Sequence, residues 1–210
     1  MPDKDPSLDA AYALETPQDS QRLYAKWADN YDSTFADAMD YQMPRIIALI
    51  YAEVGLGKQP VLDVGAGTGL LVKEMPLRGG AAFDALDISP EMLEVAGQRG
   101  IYRSLLEADL TTKLPIEDAT YGAILSAGTF THGHVGPNAI DELVRIAQPN
   151  AVFVLGINAE HFEERGFGTK FAALDPEIRD LHLRDVNIYG AGADAAHKDD
   201  QARVAVFWKR

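Results

Sequence analysis

Apolar residues in this chain follow two periods, and the change near Val61 divides it. Before that point the spacing is helical. Thr16-Pro17 reads as a helix start, with Thr16 as N-cap, Pro17 at the first helical position and Asp19 in the first turn. Tyr24, Trp27 and Tyr31 follow at spacings of three and four and share one helical face. In PRIIALIYAEVG, Ile46, Ile47, Ile50, Tyr51 and Val54 keep the period, and Gly55 reads as the stop. From Val61 short apolar runs alternate with helical segments. PVLDVG predicts a buried strand that turns through glycines into a helix near Gly69-Leu70-Leu71, ended by Pro76. AAFDALD is a second strand. Ser89-Pro90 starts a helix bearing Met92, Leu93, Val95 and Ala96, and Gly100 closes it. IYRSLLEAD and TYGAILSAG are the third and fourth strands. A helix with Ile140, Leu143, Val144 and Ala147 on one face follows, and a turn at Pro149-Asn150 leads into AVFVLGI, the fifth strand. The tail predicts one helix over about Glu160 to Ala173, then LHLRDVNIY and ARVAVFWK as an antiparallel hairpin. Such alternation predicts an α/β fold with a doubly wound, mostly parallel sheet.

A length of 210 residues fits one domain. Residues 1–15 are polar and expected to fray, which leaves 16–210 as the domain, its sheet core spanning 58–210. The chain has no cysteine, which excludes a disulfide framework, a thiolate zinc site and a cysteine nucleophile. Its net charge of −13, with no visible Lys/Arg cluster, argues against a nucleic-acid partner. A small or cationic partner is easier to accommodate. The first residues lack the basic and apolar runs of a secretory leader, and the longest apolar stretches are too short to span a bilayer. A cytoplasmic protein without membrane attachment is therefore expected.

The strongest local signal is VLDVGAGTG, with Gly65, Gly67 and Gly69 in a GxGxG turn. A dinucleotide fingerprint would need its third glycine at position 70, which is Leu70. Asp87 lies 22 positions beyond Gly65, at the end of the second strand. An acid there can accept both hydroxyls of a ribose, or it can cap the helix that follows. A further acid, Asp109, sits in Ala108-Asp109-Leu110 after the third strand.

These motifs resemble those of class I S-adenosylmethionine-dependent methyltransferases, whose first motif is an apolar strand ending in an acid two residues before GxGxG. Asp63, Gly65, Gly67 and Gly69 reproduce it. The resemblance runs from about Tyr24 to the C-terminus. It implies a Rossmann-like, seven-stranded sheet, S-adenosyl-L-methionine as methyl donor and S-adenosyl-L-homocysteine as product. It also implies cofactor contacts at Asp63, Gly65, Ala66, Gly67 and Gly69. Asp87 would take the ribose, with Ile88 and Met92 flanking the adenine. Asp109 would face the adenine amino group, the Leu110 N–H a ring nitrogen, and Ala127 with Gly128 the methionine moiety. YAKWADNYD resembles the helix that precedes the core in many small-molecule members, so residues 16–57 are expected to form a lid. GTFTHGHVGP resembles a subset described as Williams–Beuren syndrome region methyltransferase-like. Tyr24, Trp27 and Tyr31 would then fold over the cofactor, where aromatic faces attract the sulfonium, or would pin the helix to the core.

Methyl transfer from a sulfonium is an in-line displacement, and positioning supplies much of its acceleration. A base is needed only where the acceptor must lose a proton. His132 is the candidate for that role, against a loop histidine that only shapes the pocket. His134 shares its loop, and His161 is a weaker candidate. No carboxylates with ligand spacing accompany the two loop histidines, so no metal is expected. Members that methylate base or glutamine amino groups often carry an Asn/Asp-Pro-Pro-aromatic tetrad after the fourth strand. Here that place reads Ser126-Ala127-Gly128-Thr129. The expected function is methyl transfer to a small-molecule acceptor. A non-catalytic binder of the donor or its product remains an alternative. A nicotinamide-dependent oxidoreductase is disfavoured by Leu70 and by the acid at position 63.

Overall fold

Strand β1 (Val61–Val64) is buried at all four positions, as a strand must be when crossover helices cover both faces of its sheet. The computed structural model describes residues 6–55, 57–75, 82–131 and 135–210. Strands β2 (Phe83–Asp87), β3 (Ser104–Glu107), β4 (Tyr121–Phe130) and β5 (Ala147–Asn158) join β1 in parallel. Strands β6 (Ile178–Asn187) and β7 (Gln201–Lys209) add antiparallel, giving the order β3-β2-β1-β4-β5-β7-β6 in a seven-stranded sheet. The expected doubly wound sheet with its antiparallel hairpin is thus present.

Side chains alternate across each strand and feed two cores. Val61, Ala123, Leu125, Val152, Val154 and Val206 pack with α3 (Met43–Val54) on one face. Leu62, Val64, Ile124, Phe153, Leu155 and Phe207 pack on the other with α6 (Ala139–Ile146), α7 (Ala159–Arg165) and α8 (Phe167–Ala173). Helices α4 (Leu70–Lys73) and α5 (Pro90–Gln98) follow β1 and β2. Among the described residues no helix is long and apolar enough to cross a membrane.

Three local expectations change. Residues 1–15 are not frayed throughout. Ser7 caps a short helix, α1 (Leu8–Tyr12), Ala10 and Ala11 are buried, and the Tyr12 hydroxyl reaches Asp200 and Tyr189, each at 3.2 Å. The tail helix breaks into α7 and α8 because Gly166 adopts a left-handed φ of 75° and stops the first. β5 begins at Ala147 and passes through Pro149-Asn150 as an irregularity, with Asn150 at a φ of 62°. Gly55 does end α3, but at a φ of −121°. A Cβ there would lie 2.4 Å from the Tyr51 ring, so close packing selects the glycine. Pro76 lies outside the described residues.

The N-terminal helix start is as expected: Thr16 caps α2 (Pro17–Trp27) through the Asp19 N–H. That helix ends at Trp27, however, and Tyr31 stands just before a π-helical turn over Asp32–Ala36.

Candidate active site

The chain leaves β1 toward β2 on one side and β4 toward β5 on the other, so the connections diverge between two neighbouring strands. In an open parallel sheet, the carboxyl ends of such strands border a crevice. The glycine turn lies there, with Gly65, Gly67 and Gly69 at φ values of 63°, 54° and 85°. Their surroundings differ. A Cβ on Gly65 would lie 1.9 Å from Thr129 Oγ1, whose hydroxyl donates to the Val64 carbonyl at 2.7 Å. A Cβ on Gly69 would press on the Tyr102 ring at 3.0 Å and on Arg99. A Cβ on Gly67 would meet nothing within 4 Å, because this residue faces the open cleft. Gly65→Ala should therefore lower stability by about 1–3 kcal/mol through strain at a positive φ and displacement of Thr129. Denaturant unfolding measures this, and an unchanged midpoint would contradict the packing at Thr129.

Two acids stand below the turn. Asp63 is 1% exposed and accepts the Tyr102 hydroxyl at 2.6 Å. Burial pushes its carboxyl up from 3.8 to about 7, opposed by that hydrogen bond and aided by nearby Asp87. Asp87 holds two backbone donors, Gly67 N–H at 2.8 Å and Ser89 N–H at 2.9 Å. It thus joins the end of β2 to both the glycine turn and the start of α5, where the Ser89 hydroxyl caps Met92 at 3.3 Å. Burial raises Asp87, and the N–H groups of Ser89, Gly67 and Ile88 oppose the rise.

The cleft gathers most of the residues expected from sequence. Tyr24, Tyr31, Asp63, Gly65, Ala66 and Gly67 line it, as do Asp87, Ile88, Met92, Leu110 and Ala127. Burial and the neighbouring Asp87 push the Tyr24 hydroxyl up to about 12, so it stays protonated. Three expected residues lie elsewhere. Trp27 sits behind Tyr24 and Tyr31, 4% exposed, and its indole donates to Thr34 Oγ1 at 3.1 Å. Gly69 shapes the start of α4. Asp109 Oδ1 accepts Thr111 N–H at 2.8 Å and the Thr111 hydroxyl at 2.7 Å, an Asx turn beside the cleft wall formed by Ala108 and Leu110. His132 and His134 lie outside the described residues. His161 is buried against the Val135 carbonyl at 3.0 Å and does not line the cleft. Among the described residues no group of side chains is arranged to hold a metal ion.

The structure also brings in residues that sequence spacing did not mark. Tyr41 lines the cleft and donates to the Ala127 carbonyl at 3.3 Å. Gly128, already expected at the methionine end of the donor, must be small because its Cβ would lie 2.6 Å from that tyrosine hydroxyl. Asp32 accepts the Thr68 hydroxyl at 2.5 Å and pairs with Arg99, which also donates from Nε to the Thr68 carbonyl at 2.5 Å. The N-terminal segment is thereby fastened to the glycine turn itself. Asp32 stands within the YAKWADNYD string, but no local pattern names its partners.

Comparison with known proteins agrees with this geometry. A family model described as a methyltransferase domain matches residues 62–155. Methyltransferase-like protein 27 from Homo sapiens is 30% identical over 159 residues, which is 74% of this chain and 64% of that protein. The chain therefore spans just under two thirds of that relative's length. Among solved structures, the 4+2 cyclase SpnF superposes with a TM-score of 0.71 at 16% identity, covering 93% of this chain and 97% of that one. A SAM-dependent methyltransferase from Aquifex aeolicus gives a TM-score of 0.60 at 20% identity, covering 87% and 97%. These two likenesses show a shared fold. With the acid-GxGxG turn at the β1–β4 crevice, the sheet order and a methyltransferase-domain model matched over residues 62–155, the chain is similar to class I S-adenosylmethionine-dependent methyltransferases in its fold and in the layout of this site.

Proposed function

We propose that the protein transfers the methyl group of S-adenosyl-L-methionine to a small-molecule acceptor by in-line displacement. The observation that carries this reading is the cleft at the glycine turn. There an unobstructed backbone at Gly67 and the buried Asp87 carboxylate meet a wall of tyrosines. The residues present suit the donor. The space beside Gly67 admits a ligand against the backbone, Asp87 offers carboxylate oxygens to ribose hydroxyls, and Ile88, Met92 and Leu110 offer apolar cover to a base. Bound there, the donor supplies an electrophilic methyl group on a sulfonium. The tyrosines of the wall keep their protons and exclude water from the reacting end. Asp109, beside the cleft wall at Ala108 and Leu110, would take the adenine amino group as the resemblance implies. The net charge of −13 and the absence of the amine-gripping tetrad favour a compact acceptor over a nucleic acid. The segment around Thr131 retains its resemblance to the Williams–Beuren-region subset.

Asp63 gives the donor site a pH dependence. A donor whose α-ammonium lay near Asp63 would favour the carboxylate, and its binding would then expel the proton that Asp63 holds below about pH 7. Affinity for S-adenosylhomocysteine should rise with pH, by up to about tenfold per unit, and level off above about 7. The ligand-free protein behaves oppositely. Between 3.8 and about 7 its folded state keeps a proton that the unfolded chain has lost, so stability falls as pH rises through that window. Calorimetry and thermal melts over this range test both signs, and Asp63→Asn should flatten both profiles.

The function itself is tested with trideuteromethyl S-adenosylmethionine and a metabolite library. A labelled product should appear in equal amount with S-adenosylhomocysteine. Tight binding with no acceptor-dependent turnover would favour the binder alternative, and methylation of RNA or DNA would overturn the substrate class.

A further inference from the structure

A second, smaller cavity lies behind the main cleft and shares Tyr24, Tyr31, Tyr41, Gly128 and Thr131 with it. Its walls carry six aromatic rings: Tyr12, Tyr24, Trp27, Tyr31, Phe35 and Tyr41. Five of these rings form one connected set, and Tyr12 stands apart from it. Tyr24 stacks on Trp27 with centroids 6.3 Å apart, Trp27 meets Tyr31 edge-on at 5.2 Å, Tyr31 lies 4.9 Å from Phe35, and Phe35 lies 5.3 Å from Tyr41. Among its described lining residues there is no lysine, arginine or carboxylate. A charge nevertheless stands one bond further out. The Tyr12 hydroxyl donates to Asp200 Oδ2 at 3.2 Å, which enriches the phenol ring with electron density. Asp200 in turn faces His197 Nδ1 at 3.0 Å, with Asp9 3.5 Å from the other ring nitrogen and Asp194 accepting the His197 backbone N–H at 3.0 Å. These three carboxylates leave the cluster net negative even with the imidazole protonated.

Among the described lining residues no lysine or arginine competes for these rings, and the carboxylates behind Tyr12 favour positive charge further. The position of this box matters as much as its chemistry. It borders the main cleft along Tyr24, Tyr31, Tyr41, Gly128 and Thr131, and Gly128 lies near the C-terminal end of β4, where the resemblance puts the methionine moiety of the donor. We infer that the box receives the acceptor, and that the acceptor is a compact alkyl amine whose ammonium form gives its proton to water, reacts as the neutral base and is released as the methylated ammonium. This rests on the methyl-transfer reading above. The nitrogen lone pair forms the N–C bond as the C–S bond breaks, and sulfur keeps the bonding pair in neutral S-adenosylhomocysteine. One positive charge thus passes from sulfur to nitrogen, from the main cleft into the box. Rings fixed before the reaction stabilise that charge as it develops. No base is required at this step. A tertiary amine leaves as its quaternary ammonium, and a primary or secondary one carries its N–H proton out and gives it to water after release.

Choline and its uncharged isostere 3,3-dimethylbutan-1-ol probe the box as mimics of the product and of its shape alone. Each is titrated into the full chain saturated with S-adenosylhomocysteine. Choline should bind about tenfold more tightly than the isostere. Phe35→Leu, which removes one ring from the box and none from the main cleft, should erode that preference while S-adenosylhomocysteine affinity holds. Tyr12→Phe keeps the ring and removes the link to Asp200, and should weaken choline a few-fold without loss of fold. Equal binding of the two probes, or binding of neither by a chain that holds S-adenosylhomocysteine, overturns the amine assignment alone. Failure to bind S-adenosylhomocysteine at all overturns the methyl-transfer reading beneath it.

Discussion

Gly67→Leu abolishes S-adenosylhomocysteine binding and leaves a folded protein. The expectation follows from two properties of one residue. Gly67 has a φ of 54°, and a Cβ placed on it meets no protein atom within 4 Å. The leucine side chain therefore enters the cleft without striking the core. Its positive φ costs about 1–2 kcal/mol, a modest fraction of the stability of a domain this size. The ligand, by contrast, loses the backbone surface it must lie against. Calorimetry should find no heat of binding, while circular dichroism shows a cooperative melt a few degrees below the parent. Retained affinity would mean that the ligand lies away from the glycine turn. Gly65→Ala has the opposite signature, loss of stability through Thr129, so the two variants separate a packing glycine from a ligand-facing one.

Asp87→Ala should weaken S-adenosylhomocysteine by about 1.5–3 kcal/mol, the usual worth of hydrogen bonds to a charged acceptor. It should also lower stability, because the substitution strips a buried acceptor from the Gly67 and Ser89 N–H groups. The structure shows Asp87 holding the Gly67 N–H and the N–H at the start of α5, and its place in the cleft is compatible with the ribose role that sequence set against capping. Asp87→Asn retains a side-chain carbonyl for one backbone donor and should recover part of the stability but little of the affinity. Thermal melts and calorimetry on both variants distinguish the roles. Unchanged affinity in Asp87→Ala would leave Asp87 as a cap alone.

Asp63, Gly65, Ala66, Gly67 and Asp87 were legible because a parallel strand, a tight turn and a helix impose their order locally. Acids at strand ends and glycines at positive φ leave linear spacings. Periodicity likewise showed that Tyr24, Trp27 and Tyr31 form one aromatic group. It did not show that Trp27 lines only the second cavity while Tyr24 and Tyr31 line both, since that depends on how α2 packs against the rest of the molecule. Contacts between distant segments left no trace. Asp32 meets Thr68 and Arg99 across 36 and 67 residues, and Tyr12 meets Asp200 across 188. That last contact joins α1 to the far end of the chain, in a segment whose polar composition alone reads as frayed. Tyr41 follows a π-helical turn, where no regular period predicts its direction. Gly166 was visible as a glycine, but its left-handed conformation, and with it the split of α7 from α8, is a choice made by packing.

The central claim is that the crevice between β1 and β4 is built for the methyl donor and not for another nucleotide. Parallel calorimetric titrations of the full chain with S-adenosylhomocysteine and with NAD at neutral pH test it most directly. One site for S-adenosylhomocysteine, no measurable heat with NAD, and loss of the first signal in Gly67→Leu are the predicted results. NAD binding at that glycine turn, with none by S-adenosylhomocysteine, would contradict the account.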